Sequence, residues 1–185
     1  MRPRKFKLKA VAITFYLSVV PLSVPAQQSR PFSRDELITA AREIIATARY
    51  CALITNNSTG RSEARTMDPF PPDSEMVIWL GTNSHSRKVA EIRRRPRVTL
   101  YYFDRESGAY VTIQGIARLI DDRNEKARHW KAEWQAFYPN RDKDYLLIEV
   151  RPLKLEVVNT RKGILGDPRT WLPPTVNFMT RKTKE

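Results

Sequence analysis

Two strand-like runs, Tyr50 to Thr55 and Ser62 to Met67, are joined only by Asn56-Asn57-Ser58-Thr59-Gly60-Arg61, and this spacing constrains the fold more than any other feature. A parallel pair needs a crossover of about a dozen residues or more, whereas Asn and Gly supply a tight turn directly. The pair therefore reads as an antiparallel hairpin, and a doubly wound parallel sheet is disfavoured. Further runs follow at Met76 to Leu80, Val98 to Phe103, Ala109 to Ile120, Tyr145 to Val150 and Leu153 to Val158, giving at least six strands. Gly115, inside the longest run, marks a bulge that bends it, as a closing sheet requires. Helices fall at the connections. Ser33 with Glu36 is a capping box ahead of Leu37, Ile38, Ala41, Ile44, Ile45 and Ala48 at helical spacing, and a short helix within Thr82 to Ile92 ends before Pro96. Asp122 with Glu125 opens a third helix striped by Ala127, Trp130, Trp134 and Phe137. The expected class is mostly β with peripheral helices, as an antiparallel barrel.

The first nine residues carry five Lys or Arg and no acid; an apolar run from Ala10 to Val20 follows, then Val24-Pro25-Ala26. That order is a secretory signal peptide over residues 1–26, with the mature chain beginning at Gln27 in the periplasm or outside the cell. The apolar run falls short of the roughly 20 residues a bilayer requires, so no stable membrane span is expected after cleavage. Pro3 separates Arg2 from Arg4, which favours export of the unfolded chain, with any cofactor acquired afterwards. The 185 residues suit one domain with tails, and 41% hydrophobic residues suit a real core. The domain is expected over 33–160, followed by a Pro-rich, basic tail over 161–185. The formal charge of +13 falls to +8 once the signal is removed. Arg93-Arg94-Arg95 concentrates that charge at a helix end, where it complements the dipole, and no nucleic-acid partner is expected. The single Cys51 cannot form an intrachain disulfide and reads as a buried, inert thiol.

Most catalytic patterns are missing. With two His, one Cys, no His-Glu-x-x-His and no Walker loop, neither a metal site nor Cys catalysis is expected; residue counts leave a Ser-His-Asp triad open, but no Gly-x-Ser-x-Gly elbow is present. What remains is a phosphate-shaped group: Thr82 and Ser86 bring hydroxyls to a helix start, and Arg87 and Lys88 add charge to its first turn. Cations there oppose the helix dipole. Either an anion sits among them, or both side chains point to water.

The stretch Ile78 to Ile92, with Thr82-Asn83-Ser84-His85-Ser86-Arg87-Lys88 at its centre, continues to Arg95-Pro96-Arg97-Val98-Thr99-Leu100. Together with Arg65-Thr66-Met67 and Tyr110 to Ala117, it resembles the FMN-binding split-barrel family that includes pyridoxamine 5′-phosphate oxidases and general-stress flavoproteins. The resemblance covers about two thirds of the chain in the expected order. It implies a six-stranded antiparallel split β-barrel of Greek-key type, FMN as cofactor, and a homodimer with the flavin between subunits. It assigns Arg65, Arg87 and Lys88 to the phosphate, within the block that also holds Ser86, and Thr66, Met67, Gly81 and Thr82 to the ribityl chain and ring. Tyr110 stands where the oxidases use Gln to contact FMN. Trp171, in a tail resembling those of some relatives, either closes over the ring from the partner subunit or is a surface anchor. The C-terminal Arg and His segment that grips pyridoxal phosphate in the vitamin oxidases is missing, so that activity is not implied. The family has haem-degrading and deazaflavin-using branches; His85 and His129 read as structural or solvent-exposed. The leading expectation is flavin-dependent oxidoreduction of an unidentified small molecule. The alternative is a non-catalytic flavin or haem binding module in the cell envelope. No general acid or base is assigned, because a flavin supplies its own redox chemistry.

Overall fold

Ser33 starts the first element through the reciprocal pair its spacing predicts: its hydroxyl accepts from the Glu36 amide at 3.3 Å, and the Glu36 carboxylate accepts from the Ser33 amide at 2.8 Å. The computed structural model describes residues 31–178, so the expected signal peptide and the last residues of the tail lie outside it. Helix α1 (Arg34–Ala48) buries Leu37, Ala40, Ala41, Ile44 and Ile45, and the chain then reverses at Arg49 into β1 (Cys51–Asn56). Strand β2 (Ser62–Met67) returns beside β1 as the expected hairpin, from Cys51 opposite Met67 to Asn56 opposite Ser62.

The chain then crosses to the far side of the sheet. Strand β3 (Ile78–Asn83) leads into α2 (Arg87–Arg94), and β4 (Arg97–Phe103) comes back to pair with β1. Strand β5 (Tyr110–Ile120), helix α3 (Arg123–Arg128) and β6 (Tyr145–Val158) follow, and a short β7 (Thr175–Asn177) pairs with β6. The hydrogen-bonded order is β2-β1-β4-β5-β6-β3, antiparallel throughout. This is the six-stranded Greek-key split barrel expected from the sequence. Its ends, β2 and β3, do not pair as strands; past β2 the chain makes a single bridge from Pro69 to Leu80, with the Phe70 amide donating to Trp79 at 2.9 Å. The opening above that bridge is the split. Inward side chains such as Leu53, Leu80, Leu100, Ile113, Ile148 and Leu155 are fully buried and form the main core with α1.

Four details differ from the sequence reading. The runs 145–150 and 153–158 are one strand, which stays paired with β5 through a register shift between Gln114 and Gly115. Strand β3 begins and ends later than expected, since Met76 sits at φ 63° in the preceding turn, and Thr82 therefore belongs to the strand. The third helix stops at Arg128: Trp130 and Trp134 pack with Tyr138 and Tyr145 on the outer face of the sheet, while Phe137 is exposed. The Pro-rich tail returns to the body, burying Val176 and setting Phe178 beneath the Arg34 guanidinium at 5.3 Å. Cys51 is buried against Tyr102, and burial pushes its thiol up to about 12, which keeps it protonated and unreactive.

Gly115 lies where the register of β5 against β6 shifts. A Cβ there would stand 2.5 Å from the Arg151 carbonyl oxygen and 2.9 Å from a Val150 methyl. Because the obstacle is backbone, relief requires moving β6. Gly115→Ala is therefore expected to destabilise the protein by about 1–3 kcal/mol, read as a lowered urea midpoint with an unchanged slope. A midpoint equal to that of the parent would contradict this packing.

Candidate functional site

Strand alternation sends Glu63, Arg65 and Met67 to one face of β2 and Thr66 to the other. Arg65 turns towards α2. Its guanidinium donates to Glu91 at 2.9 Å, to the Glu63 carbonyl at 3.0 Å and to the Thr55 hydroxyl. Glu91 lies on the buried side of α2 with Val89 and Ile92, and accepts from Thr55 as well. Burial alone would push the Glu91 carboxyl up. The hydrogen bond from Thr55, and the charge and hydrogen bond of Arg65, outweigh it and hold the group below its ordinary value.

Beside this network, Thr82 is buried at the end of β3, and its hydroxyl meets two groups from the start of α2. Ser86 Oγ stands 3.1 Å away, and Lys88 Nζ donates from 3.1 Å. Burial lowers the Lys88 pKa, and the positive charge of Arg65 lowers it further. The carboxylates of Glu91 and Glu63 pair with Arg65 and Arg87, and among the described residues none pairs with Lys88. The first turn of α2 contains no acid, unlike those of α1 and α3. A half-buried ammonium, two hydroxyls and the free amides of a helix start thus converge on the split. Such a set suits a phosphate dianion.

The structure brings Arg65, Thr82, Ser86 and Lys88 together. Arg87 stays at the rim, mostly exposed, 3.7 Å from Glu63. Met67 is buried opposite Cys51. Gly81 is covered by aromatic rings: a Cβ on it would meet Trp134 at 2.4 Å and Tyr145 at 2.8 Å. Thr66 lies on the outward face of β2, and strand register puts it on the same face as Tyr101 and Tyr110, whose rings are 5.8 Å apart. Trp171 is 84% exposed on a turn pinned by Asp167, which accepts from the amides of Arg169 and Thr170. His85 is exposed, and His129 stacks on Trp79 with centroids 4.3 Å apart. Thr55 and Glu91 were missed by sequence reasoning. The available signal was Glu91 itself, an acid three residues after Lys88 within the buried stripe of a short helix.

The family described as pyridoxamine 5′-phosphate oxidase like matches residues 36–166. A search of curated proteins finds no significant match. A Clostridium acetobutylicum structure, of a protein related to general stress protein 26 of B. subtilis in the pyridoxinephosphate oxidase family, matches with TM-score 0.61 and 22% identity, covering 69% of this chain and 91% of that one. A pyridoxamine 5′-phosphate oxidase-related, FMN binding protein from Nostoc punctiforme matches with TM-score 0.56 and 16% identity, over 80% of this chain and 96% of that one. A heme binding protein from Mycobacterium smegmatis matches with TM-score 0.55 and 17% identity, over 69% and 55%. At these identities the likeness is one of fold.

The lowered pKa of Glu91 carries a sign. The folded protein keeps this carboxylate ionised to lower pH than the unfolded chain does, so its contribution is complete above the ordinary value of 4.5 and is lost as pH falls through the folded-state value. Glu91→Gln should cost about 1.5–3 kcal/mol at neutral pH. Its urea midpoint should also fall less steeply than that of the parent below pH 4.5. Parallel pH curves for the two proteins would contradict the assignment.

Proposed function

This chain belongs to the pyridoxamine 5′-phosphate oxidase-like family, and from that premise we propose that it binds FMN with the phosphate held in the split by Lys88, Thr82 and Ser86. The observation that carries the reading is Lys88: half-buried, beside Arg65, and with no carboxylate partner among the described residues. A dianion there offsets the repulsion between the two cations and accepts from the hydroxyls and the first amides of α2. Arg65 contributes its field and its remaining N–H groups while Glu91 and Thr55 keep the fork in place. Arg87 adds charge at the rim. Because β2 is an edge strand, Thr66 borders the same opening from the outward side, and Tyr110 stands further along that face.

That outward face also supports a homodimer. Tyr101 and Phe103 are exposed there, 36% and 50%, and a second copy laid against them would cover aromatic surface and enclose the ligand between subunits. Trp171, 84% exposed, is assigned to the same contact by the resemblance of the tail to those of some relatives. The bound flavin would supply two-electron redox chemistry towards a small-molecule substrate, and the chain's part is to bind, orient and shield it. Residues 1–26 support action outside the cytoplasm. The haem alternative draws less support: His129 is engaged by Trp79 and Glu125, while the donors in the split suit a phosphate.

Lys88→Ala should weaken FMN binding about 10- to 150-fold, the equivalent of one charge-assisted hydrogen bond of about 1.5–3 kcal/mol. Riboflavin, without the phosphate, should bind the parent poorly and the variant equally, and circular dichroism should not change. Fluorescence titration of both flavins makes the comparison. Unchanged FMN affinity in the variant would remove the phosphate from this site.

A further inference from the structure

A cavity of about 340 Å³ opens between the end of α1 and the segment that follows β2, within the size range of small-molecule sites. Arg42, Ile45 and Ala46 face it from α1 at the i, i+3 and i+4 positions of one helical stripe, and Arg49 lines it from just past the helix end. Phe70 and the Pro69–Pro72 segment form the opposite wall, and Lys131 closes one side over the Phe70 ring at 5.0 Å. The walls are therefore mainly apolar and partly flat.

The charges around this cavity do not cancel. Asp68 is the one carboxylate in its lining, and Lys131 takes it at 2.8 Å. Arg42 donates to the carbonyl oxygens of Pro72 at 2.9 Å and of Asp73, neutral acceptors that fix the guanidinium without reducing its charge. Arg49 has no acid partner among the described residues; it lies over the Tyr50 ring at 5.2 Å. Its backbone stands at φ 60°, ψ −49°, outside the regions an L-residue adopts without cost, so the helix exit holds it in place at some strain. Two uncompensated cations at the rim of an apolar cavity attract an anion whose body is apolar.

We propose that this cavity binds a small organic anion with a flat apolar body, the carboxylate drawn to Arg49 and Arg42 and the ring laid against Phe70. The site is separate from the phosphate group in the split: Asp68 is three residues beyond Arg65, roughly 10 Å along an extended chain. It therefore does not rest on the flavin reading.

The probe is 2-naphthoate, titrated calorimetrically into the purified full-length protein, with uncharged 2-naphthylmethanol as the comparison. Saturable binding of one naphthoate per chain is expected, with the alcohol at least about tenfold weaker. Ala46→Trp, which fills the cavity from an exposed helix position, and Arg49→Glu, which reverses the charge, should each reduce naphthoate binding at least about tenfold. FMN content should be unchanged in both variants, and Lys88→Ala should leave naphthoate binding intact. Equal binding of acid and alcohol, no saturable heat at millimolar naphthoate, or full binding by Ala46→Trp would overturn the proposal. Loss of naphthoate binding in Lys88→Ala would also overturn it, by moving the probe into the split.

Discussion

Arg65 and Lys88 share the opening between β2 and β3 with one buried carboxylate, Glu91, which pairs directly with Arg65 and reaches Lys88 only through its field. Two cations cannot be brought together out of water without a counter-charge, and the local structure is arranged around that constraint. Thr55 helps fix the Arg65–Glu91 pair, Thr82 offers Lys88 a neutral acceptor, and in the proposed reading the phosphate of FMN supplies the second negative charge. The functional reading and its dependence on phosphate both follow from this imbalance.

The split exists because the chain does not let β2 and β3 meet as paired strands. After the hairpin, residues 68–77 carry the chain to the far edge of the sheet, where β3 pairs with β6; the edges meet at the Pro69–Leu80 bridge and the Phe70–Trp79 hydrogen bond beside it. Helix α2 then packs against β1 and β5 and buries Val89 and Ile92, with Glu91 turned to Arg65. The outer face of β3 and β6 is covered by Trp130, Trp134, Tyr138 and Tyr145, and the missing side chain of Gly81 makes room for two of those rings. A glycine within a binding motif thus serves the packing behind the site.

Features set by neighbours in sequence were legible. The Ser33 box, the first hairpin, the bulge at Gly115 and the start of α2 each depend on a few adjacent residues, and the family resemblance added the Greek-key split barrel. Features set by distant partners were not. The runs 145–150 and 153–158 read as two strands until β5 is seen pairing with both across a register shift. The aromatic stripe reads as one helix until Tyr145 and Trp79 offer a surface that draws Trp130, Trp134 and His129 out of helical register. Within the site, the cations were visible as a motif. Their unequal standing, with Arg65 paired and Lys88 unpaired, depended on Glu91 and Thr55, which no short motif singles out.

The most direct measurement is the identity of the small molecule retained by protein purified from its natural compartment and then incubated with excess FMN, read by visible absorption and by mass spectrometry under native conditions. The account predicts an oxidised-flavin spectrum and the mass of FMN at one per chain. A haem spectrum, or a chain that remains free of flavin, would contradict it.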